Sequence, residues 1–236
     1  MNKNKIVWIT GASSGIGKSI AIKFAQNGIR VAAAARRLDL LEKIKNELGD
    51  KAEFFIPVQL DISNYDDVER FYKNISGDYT VECLINNAGT TSFKEGIQNS
   101  IEEIQNIISV NLLGSIYAIK SVLPDMSDRK SGTIINILSV VTQKIFTASS
   151  AYSASKSGLH AYAKVLREEV RDKNIRVINV SPGATATSIW PEGVLKKYSE
   201  RMMNTDSLAE IVLNIYNEKS NLVSEELVVR PIKGDL

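Results

Sequence analysis

Short apolar runs alternate along the chain with stretches whose apolar residues recur every three or four positions. The runs at 6–10, 31–35, 54–60, 81–85, 133–138, 175–180 and 226–229 read as seven strands. They are continuously apolar, the pattern of strands covered on both faces. Between them, residues 16–27, 38–48, 66–75, 100–123, 151–172 and 206–216 carry helical spacing. In the second of these, Leu38, Leu41, Ile44 and Leu48 share one face, and Gly49 follows as a stop. Asn64 or Ser63 fits the cap of the third, and Pro124 is expected to end the fourth. Strand–helix alternation of this kind predicts an α/β fold built on a Rossmann-type, doubly wound, seven-stranded parallel sheet.

Nothing divides the pattern, so residues 1–236 are expected to form one dinucleotide-binding catalytic domain. The least periodic stretch, 185–205, is expected to be a substrate loop or lid, with hinges near Gly183 and Gly193. The start, Met1 to Lys5, is polar, and no stretch stands out as a leader or membrane span, which predicts a cytoplasmic protein. A net charge of +2 gives no reason to expect nucleic acid or an anionic membrane as partner. One cysteine, Cys83, allows no intrachain disulfide, and one histidine, His160, argues against a metal site.

The first strand ends in Thr10-Gly11-Ala12-Ser13-Ser14-Gly15-Ile16-Gly17. Glycines at a strand-to-helix turn let an anion approach the backbone, and the helix start presents free N–H groups and a positive dipole end. Ser13 and Ser14 add hydroxyls. The second strand ends in Arg36-Arg37, where NAD-preferring sites place an acid on the ribose 2′-hydroxyl. Guanidinium suits a 2′-phosphate instead, which predicts NADP(H), with Arg36 on the phosphate and Arg37 stacked on the adenine. Tyr152 and Lys156 lie four apart on one helix face, and Ser139 ends the fifth strand, at the edge where such sheets bind ligands. An ammonium near the phenol would favour phenolate.

Together these residues resemble the short-chain dehydrogenase/reductase family, in its shorter single-domain branch. Thr10 to Gly17 is similar to its T-G-x-x-x-G-x-G, and Asn86-Asn87-Ala88-Gly89 to its N-N-A-G. Asn111, Ser139, Tyr152 and Lys156 match its N-S-Y-K tetrad. Pro182-Gly183 matches its P-G, followed by Thr185 and a family threonine at Thr187. Asp61, with Ile62 beside it, matches its adenine-contacting aspartate. The resemblance implies strand order 3-2-1-4-5-6-7 and hydride exchange between NADP(H) and a small-molecule carbonyl or secondary alcohol. It further implies Tyr152 as acid/base, Lys156 on the ribose, Ser139 on the substrate and Asn111 in a proton relay. Cofactor contacts are implied at Gly11, Ser13, Ser14, Gly15, Ile16, Gly17, Arg36, Arg37, Asp61, Ile62, Asn86, Ala88, Gly89, Tyr152, Lys156, Pro182, Gly183, Thr185 and Thr187.

A homotetramer or homodimer is implied too, although Val228-Val229-Arg230-Pro231 departs from the ending of many family tetramers. The alternatives on the same fold are a non-catalytic NADP-binding regulator and an epimerase or dehydratase. Phe93, the 140–146 loop, Trp190, Tyr198, Met202 and Met203 suggest a partly apolar substrate, while Lys144 suggests an acidic one.

Overall fold

The computed structural model describes residues 3–218 and 222–236, so Met1 and Asn2 of the polar opening lie outside it. All seven expected strands form: β1 (Asn4–Thr10), β2 (Val31–Ala35), β3 (Phe55–Gln59), β4 (Tyr79–Asn86), β5 (Gly132–Ile137), β6 (Ile175–Pro182) and β7 (Glu226–Val229). They pair in parallel in the order β3-β2-β1-β4-β5-β6-β7. The order reverses between β1 and β4, so the β1–α1 and β4–α4 connections part and leave a crevice at the carboxyl edge.

The helices are α1 (Gly15–Gln26), α2 (Leu38–Glu47), α3 (Tyr65–Asp78), α4 (Ile101–Ile108), α5 (Gly114–Asp128), α6 (Ser150–Glu169), α7 (Glu192–Tyr198) and α8 (Thr205–Tyr216). Local chemistry sets several of their starts. Asn64 accepts from the Asp67 N–H at the head of α3, and Ser100 with Glu103 forms a capping box on α4. One face of the sheet buries Phe24, Leu41, Ile44, Leu208 and Val212. The other buries Trp8, Val68, Val122, Met126, Leu159 and Leu166.

Pro124 does not end its helix, contrary to expectation: α5 continues to Asp128. An interior proline costs about 3 kcal/mol. Val122 and Met126, both fully buried, each return roughly 1.5–3 kcal/mol by leaving water. Beyond the proline, Tyr72 donates to Asp125 at 2.6 Å and the Arg129 guanidinium donates to the Val81 carbonyl, which ties the last turn to α3 and β4. Tertiary packing thus outweighs the local rule.

The helical stretch Ile101–Asp128 is also long and apolar enough to cross a membrane by length and composition, which the sequence reading overlooked. Its Val110, Ala118, Ile119, Val122 and Met126 are spent on the core beneath the sheet, in the manner of a soluble protein's core helix.

A row of buried polar side chains crosses the carboxyl half of the sheet. Asn86 donates to Asn136, Asn136 to Asn179, and Asn179 to Glu226, at 3.0, 3.0 and 2.9 Å. Glu226 also takes Arg167, and His160 lies 3.2 Å from it. The row follows the strand register, in which Asn86, Asn136, Asn179 and Glu226 are partners. It holds β4 to β7 level where the cleft opens.

Candidate active site

A cleft of about 910 Å³ runs along the carboxyl edge of the sheet. That is within the usual size of cofactor sites. One of its walls is the turn from β1 into α1. Gly11 takes φ +68°, and a Cβ there would lie 2.7 Å from the Ala88 Cα. Thr10 Oγ1 accepts from the N–H groups of Asn87 and Ala88, and Asn87 Nδ2 donates to the carbonyls of Thr10 and Gly11. The two loops either side of the crevice are therefore pinned to each other before any ligand arrives. The Ser14 hydroxyl caps nothing in α1, so the first N–H groups of that helix face the cleft without a side-chain partner.

Gly17 does not line the cleft. It sits where α1 crosses the pinned loops, and a Cβ there would collide with the Asn87 amide and the Gly11 carbonyl oxygen. Overpacking of this kind typically costs 1–3 kcal/mol. Gly17→Ala should therefore lower the melting temperature by about 2–12 °C, at about 2–4 °C per kcal/mol for a chain of this size. It should also weaken dinucleotide binding, because α1 must back away from the loop. A thermal melt and a cofactor titration of the variant check both.

Arg36 and Arg37 stand exposed where β2 delivers them, beside the cleft. Arg37 reaches back to Ser13 and Ser14, at 3.2 and 3.3 Å from their hydroxyls, rather than lying free to stack on a base. Arg36 has its side chain free, and its carbonyl accepts from Gln59. Asp61 closes its own turn by accepting from Ser63, and it lines the same end with Ile62.

At the other end, Ser139, Tyr152 and Lys156 meet. β5 delivers Ser139, whose Oγ accepts from the Val141 N–H, and α6 carries Tyr152 and Lys156. Burial holds the Tyr152 phenol above its ordinary pKa, and hydrogen bonding from Ser139 pulls it back in part. Burial pushes the Lys156 ammonium down to about 8. Its Nζ donates to the Ile137 carbonyl at 2.8 Å and sits 5.9 Å from the Tyr152 ring centroid.

The lysine shift has a stability consequence. Between pH 8 and 10.5 the unfolded chain binds more protons at this site than the folded one, so its contribution to stability rises with pH. Below pH 8 the full desolvation penalty is present. Lys156→Met should therefore gain stability on wild type at pH 7 and lose that advantage toward pH 10.5, which paired urea titrations at the two pH values would read.

Asn111 lies in a π-helical turn, Ser109–Leu113, and is fully buried behind the cleft. Its amide donates to the Thr90 carbonyl and to Ser155 Oγ, and its Oδ1 accepts from the Thr90 N–H. The side chain is thus consumed in holding the loop after β4 to α6. Asn86 likewise faces the buried polar row, and its neighbour Asn87 lines the cleft instead. Asn87 and Thr10 were legible in the two motifs but were passed over as site residues. Ala88, Gly89, Pro182, Gly183, Thr185 and Thr187 all line the cleft, with Gly11, Ser13, Ser14, Gly15 and Ile16.

The 185–205 stretch carries local structure of its own. It contains α7, a bridge between Thr185 and Met203, and a hydrogen bond from the Trp190 indole to the Thr185 carbonyl. Gly183 is stitched to β7, donating to the Val229 carbonyl at 2.7 Å, which is not the environment of a hinge. Trp190 stacks on Phe93 at 4.8 Å, and both face the cleft with Val141 and Phe146. Tyr198, Met202 and Met203 lie outside it.

A seven-stranded sheet in this order, with a glycine-rich turn at its crevice and Ser, Tyr and Lys facing it, defines a dinucleotide-dependent class of oxidoreductase. The chain belongs to the short chain dehydrogenase family, whose model matches residues 5–196. It is 34% identical to an uncharacterized oxidoreductase of Staphylococcus saprophyticus, over 99% of this chain and 98% of that one. Among solved structures, it is similar to an alcohol dehydrogenase from the archaeon Thermococcus sibiricus complexed with 5-hydroxy-NADP. The TM-score is 0.85 at 30% identity, over 98% of this chain and 97% of that one. A closed form of serine dehydrogenase complexed with NADP+ gives a TM-score of 0.89 at 26% identity, over 98% and 96%.

Proposed function

We propose that this protein is an NADP(H)-dependent oxidoreductase that interconverts a carbonyl and a secondary alcohol on a small molecule. The observation that carries this reading is the convergence of Ser139, Tyr152 and Lys156 on one end of a cleft whose other end is lined by Arg36 and Arg37. The NADP complexes of the two similar structures support the cofactor assignment.

The residues fit the dinucleotide. Gly11, Gly15 and the free N–H groups of α1 suit the pyrophosphate, and Arg37 with Ser13 and Ser14 forms a cationic, hydroxyl-bearing cradle beside it. Arg36 suits the 2′-phosphate, Asp61 and Ile62 the adenine. When bound, the nicotinamide supplies or accepts the hydride. Tyr152 exchanges the proton with the substrate oxygen, Ser139 orients that oxygen, and Lys156 holds the ribose. Because burial keeps Tyr152 protonated, the phenol is ready as an acid for carbonyl reduction near neutral pH. The reverse reaction needs phenolate and gains rate as pH rises. Asn111 acts by positioning: it locks Thr90 and Ser155, and with them the floor on which Lys156 lies.

The experiment is a panel of aldehydes and ketones with NADPH absorbance as readout. Consumption of NADPH with at least one carbonyl is expected, and consumption with none while NADPH binds would favour a regulatory binding protein instead.

A further inference from the structure

The segment after β7 folds back to the substrate end of the cleft, where Asp235 and Leu236 form part of the lining. Gly234, at φ +80° and donating to the Pro231 carbonyl, makes the turn that aims Asp235 inward. The carboxylate is fastened on one side only. Its Oδ2 meets Lys144 at 3.0 Å and Arg230 at 3.3 Å, and the Arg201 guanidinium donates to its main-chain carbonyl at 3.2 Å. Three cations from three segments thus hold one residue in place. The side chain is only 8% exposed, and its second oxygen, Oδ1, is buried with no hydrogen-bond partner.

A buried acceptor left unpaired is unfavourable, more so when it is charged. Among the described residues lining the cleft, the charged side chains are Arg36, Arg37, Asp61, Lys156 and Asp235. The first three line the end formed by β2 and the loop after β3, so Asp235 is the one acidic side chain in the rest of the cleft. Lys144, which suggested an acidic substrate from the sequence, does not line the cleft and is occupied by Asp235.

From this geometry we infer that Asp235 recognises the substrate, accepting through Oδ1 from a hydroxyl or ammonium group carried next to the reacting carbinol. The substrate class is then a vicinal diol or amino alcohol, with its ketone or aldehyde counterpart, and not a hydroxy acid. Phe93, Val141 and Trp190 leave the rest of that molecule an apolar wall. Lys144 and Arg230 act through Asp235 as positioning residues. This inference rests on the oxidoreductase reading above for which carbon reacts, but not for what binds.

The test uses four molecules of nearly one shape: 2-butanol, 1,2-propanediol, 1-amino-2-propanol and lactate. Their affinities for the NADP+-loaded protein are measured by ligand-observed NMR, and kcat/KM for NADP+ reduction alongside. A charged hydrogen bond is worth about 1.5–3 kcal/mol, so 1-amino-2-propanol should bind roughly tenfold to a hundredfold more tightly than 2-butanol. The diol should fall between them and lactate should bind worst. Asp235→Ala should erase the spread. Asp235→Asn, of the same shape and able to stay folded where alanine loosens the segment, should keep the preference for the diol and lose most of that for the amine. Lys144→Met, which removes one of the three cations that hold Asp235, should narrow the spread while keeping the ranking. Equal affinity for 2-butanol and both donor-bearing molecules, tightest binding of lactate, or a ranking unchanged by Asp235→Asn would overturn the inference. The expected binding order without turnover of any member would instead count against the oxidoreductase reading alone.

Discussion

Tyr152→Phe should lower kcat by about 10²- to 10⁴-fold and leave NADPH affinity within a few-fold of wild type. The substitution removes one hydroxyl from a ring that still packs in α6, so the fold and the dinucleotide-binding turn are undisturbed. What it removes is the proton donor, and general acid–base catalysis supplies a factor of that size. Lys156→Met should differ in kind. The ammonium is expected on the ribose, so NADPH affinity should fall along with kcat. Its pKa of about 8 adds a signature: in wild type, NADPH affinity should weaken as pH passes 8 and the lysine becomes neutral. The variant, having no proton to lose there, should show a flat profile. Stopped-flow turnover and NADPH titration from pH 6 to 10 on both variants measure all of this. A Tyr152→Phe kcat within a few-fold of wild type would assign the proton to another group.

Discrimination between NADPH and NADH should rest on two guanidinium groups with different tasks. Arg36 has an unengaged side chain at the cleft, so Arg36→Ala should weaken NADPH roughly tenfold to a hundredfold and barely touch NADH. Arg37 leans on Ser13 and Ser14, in the turn proposed for the pyrophosphate common to both cofactors. Arg37→Ala should therefore weaken both, with a smaller change in their ratio. Fluorescence titration of each variant with each cofactor separates the two effects. NADH binding to wild type as tightly as NADPH would remove the basis for both expectations.

The sheet was legible because its strands are uninterrupted apolar runs and its helices carry a clear 3.6-residue period, so both faces of every central strand announced their burial. The glycine-rich turn and Ser139, Tyr152 and Lys156 were legible because each sits at a strand end or on one helix face, where local spacing fixes placement. What the sequence hid was set by distant contacts. Pro124 reads as a stop, and only the burial of Met126 and the Tyr72–Asp125 bond keep α5 going. Asn86 and Asn87 are neighbours in one motif, but strand alternation sends the first into the buried polar row and the second to the cleft. Asn111 was legible from its motif, but its bonds to Thr90 and Ser155, which make it a buried brace, were not. The placement of Asp235 was hidden because two of its partners, Lys144 and Arg201, come from distant parts of the chain.

The central claim is that a hydride passes between NADP(H) and a carbon of the substrate in this cleft. It is tested most directly with NADPH deuterated at C4 of the nicotinamide and a ketone that the panel shows to be consumed. Mass spectrometry and NMR of the product should find one deuterium on the new carbinol carbon, from one face of the nicotinamide only. Product free of deuterium whichever face of the nicotinamide carries the label, while the cofactor is oxidised, would contradict the account.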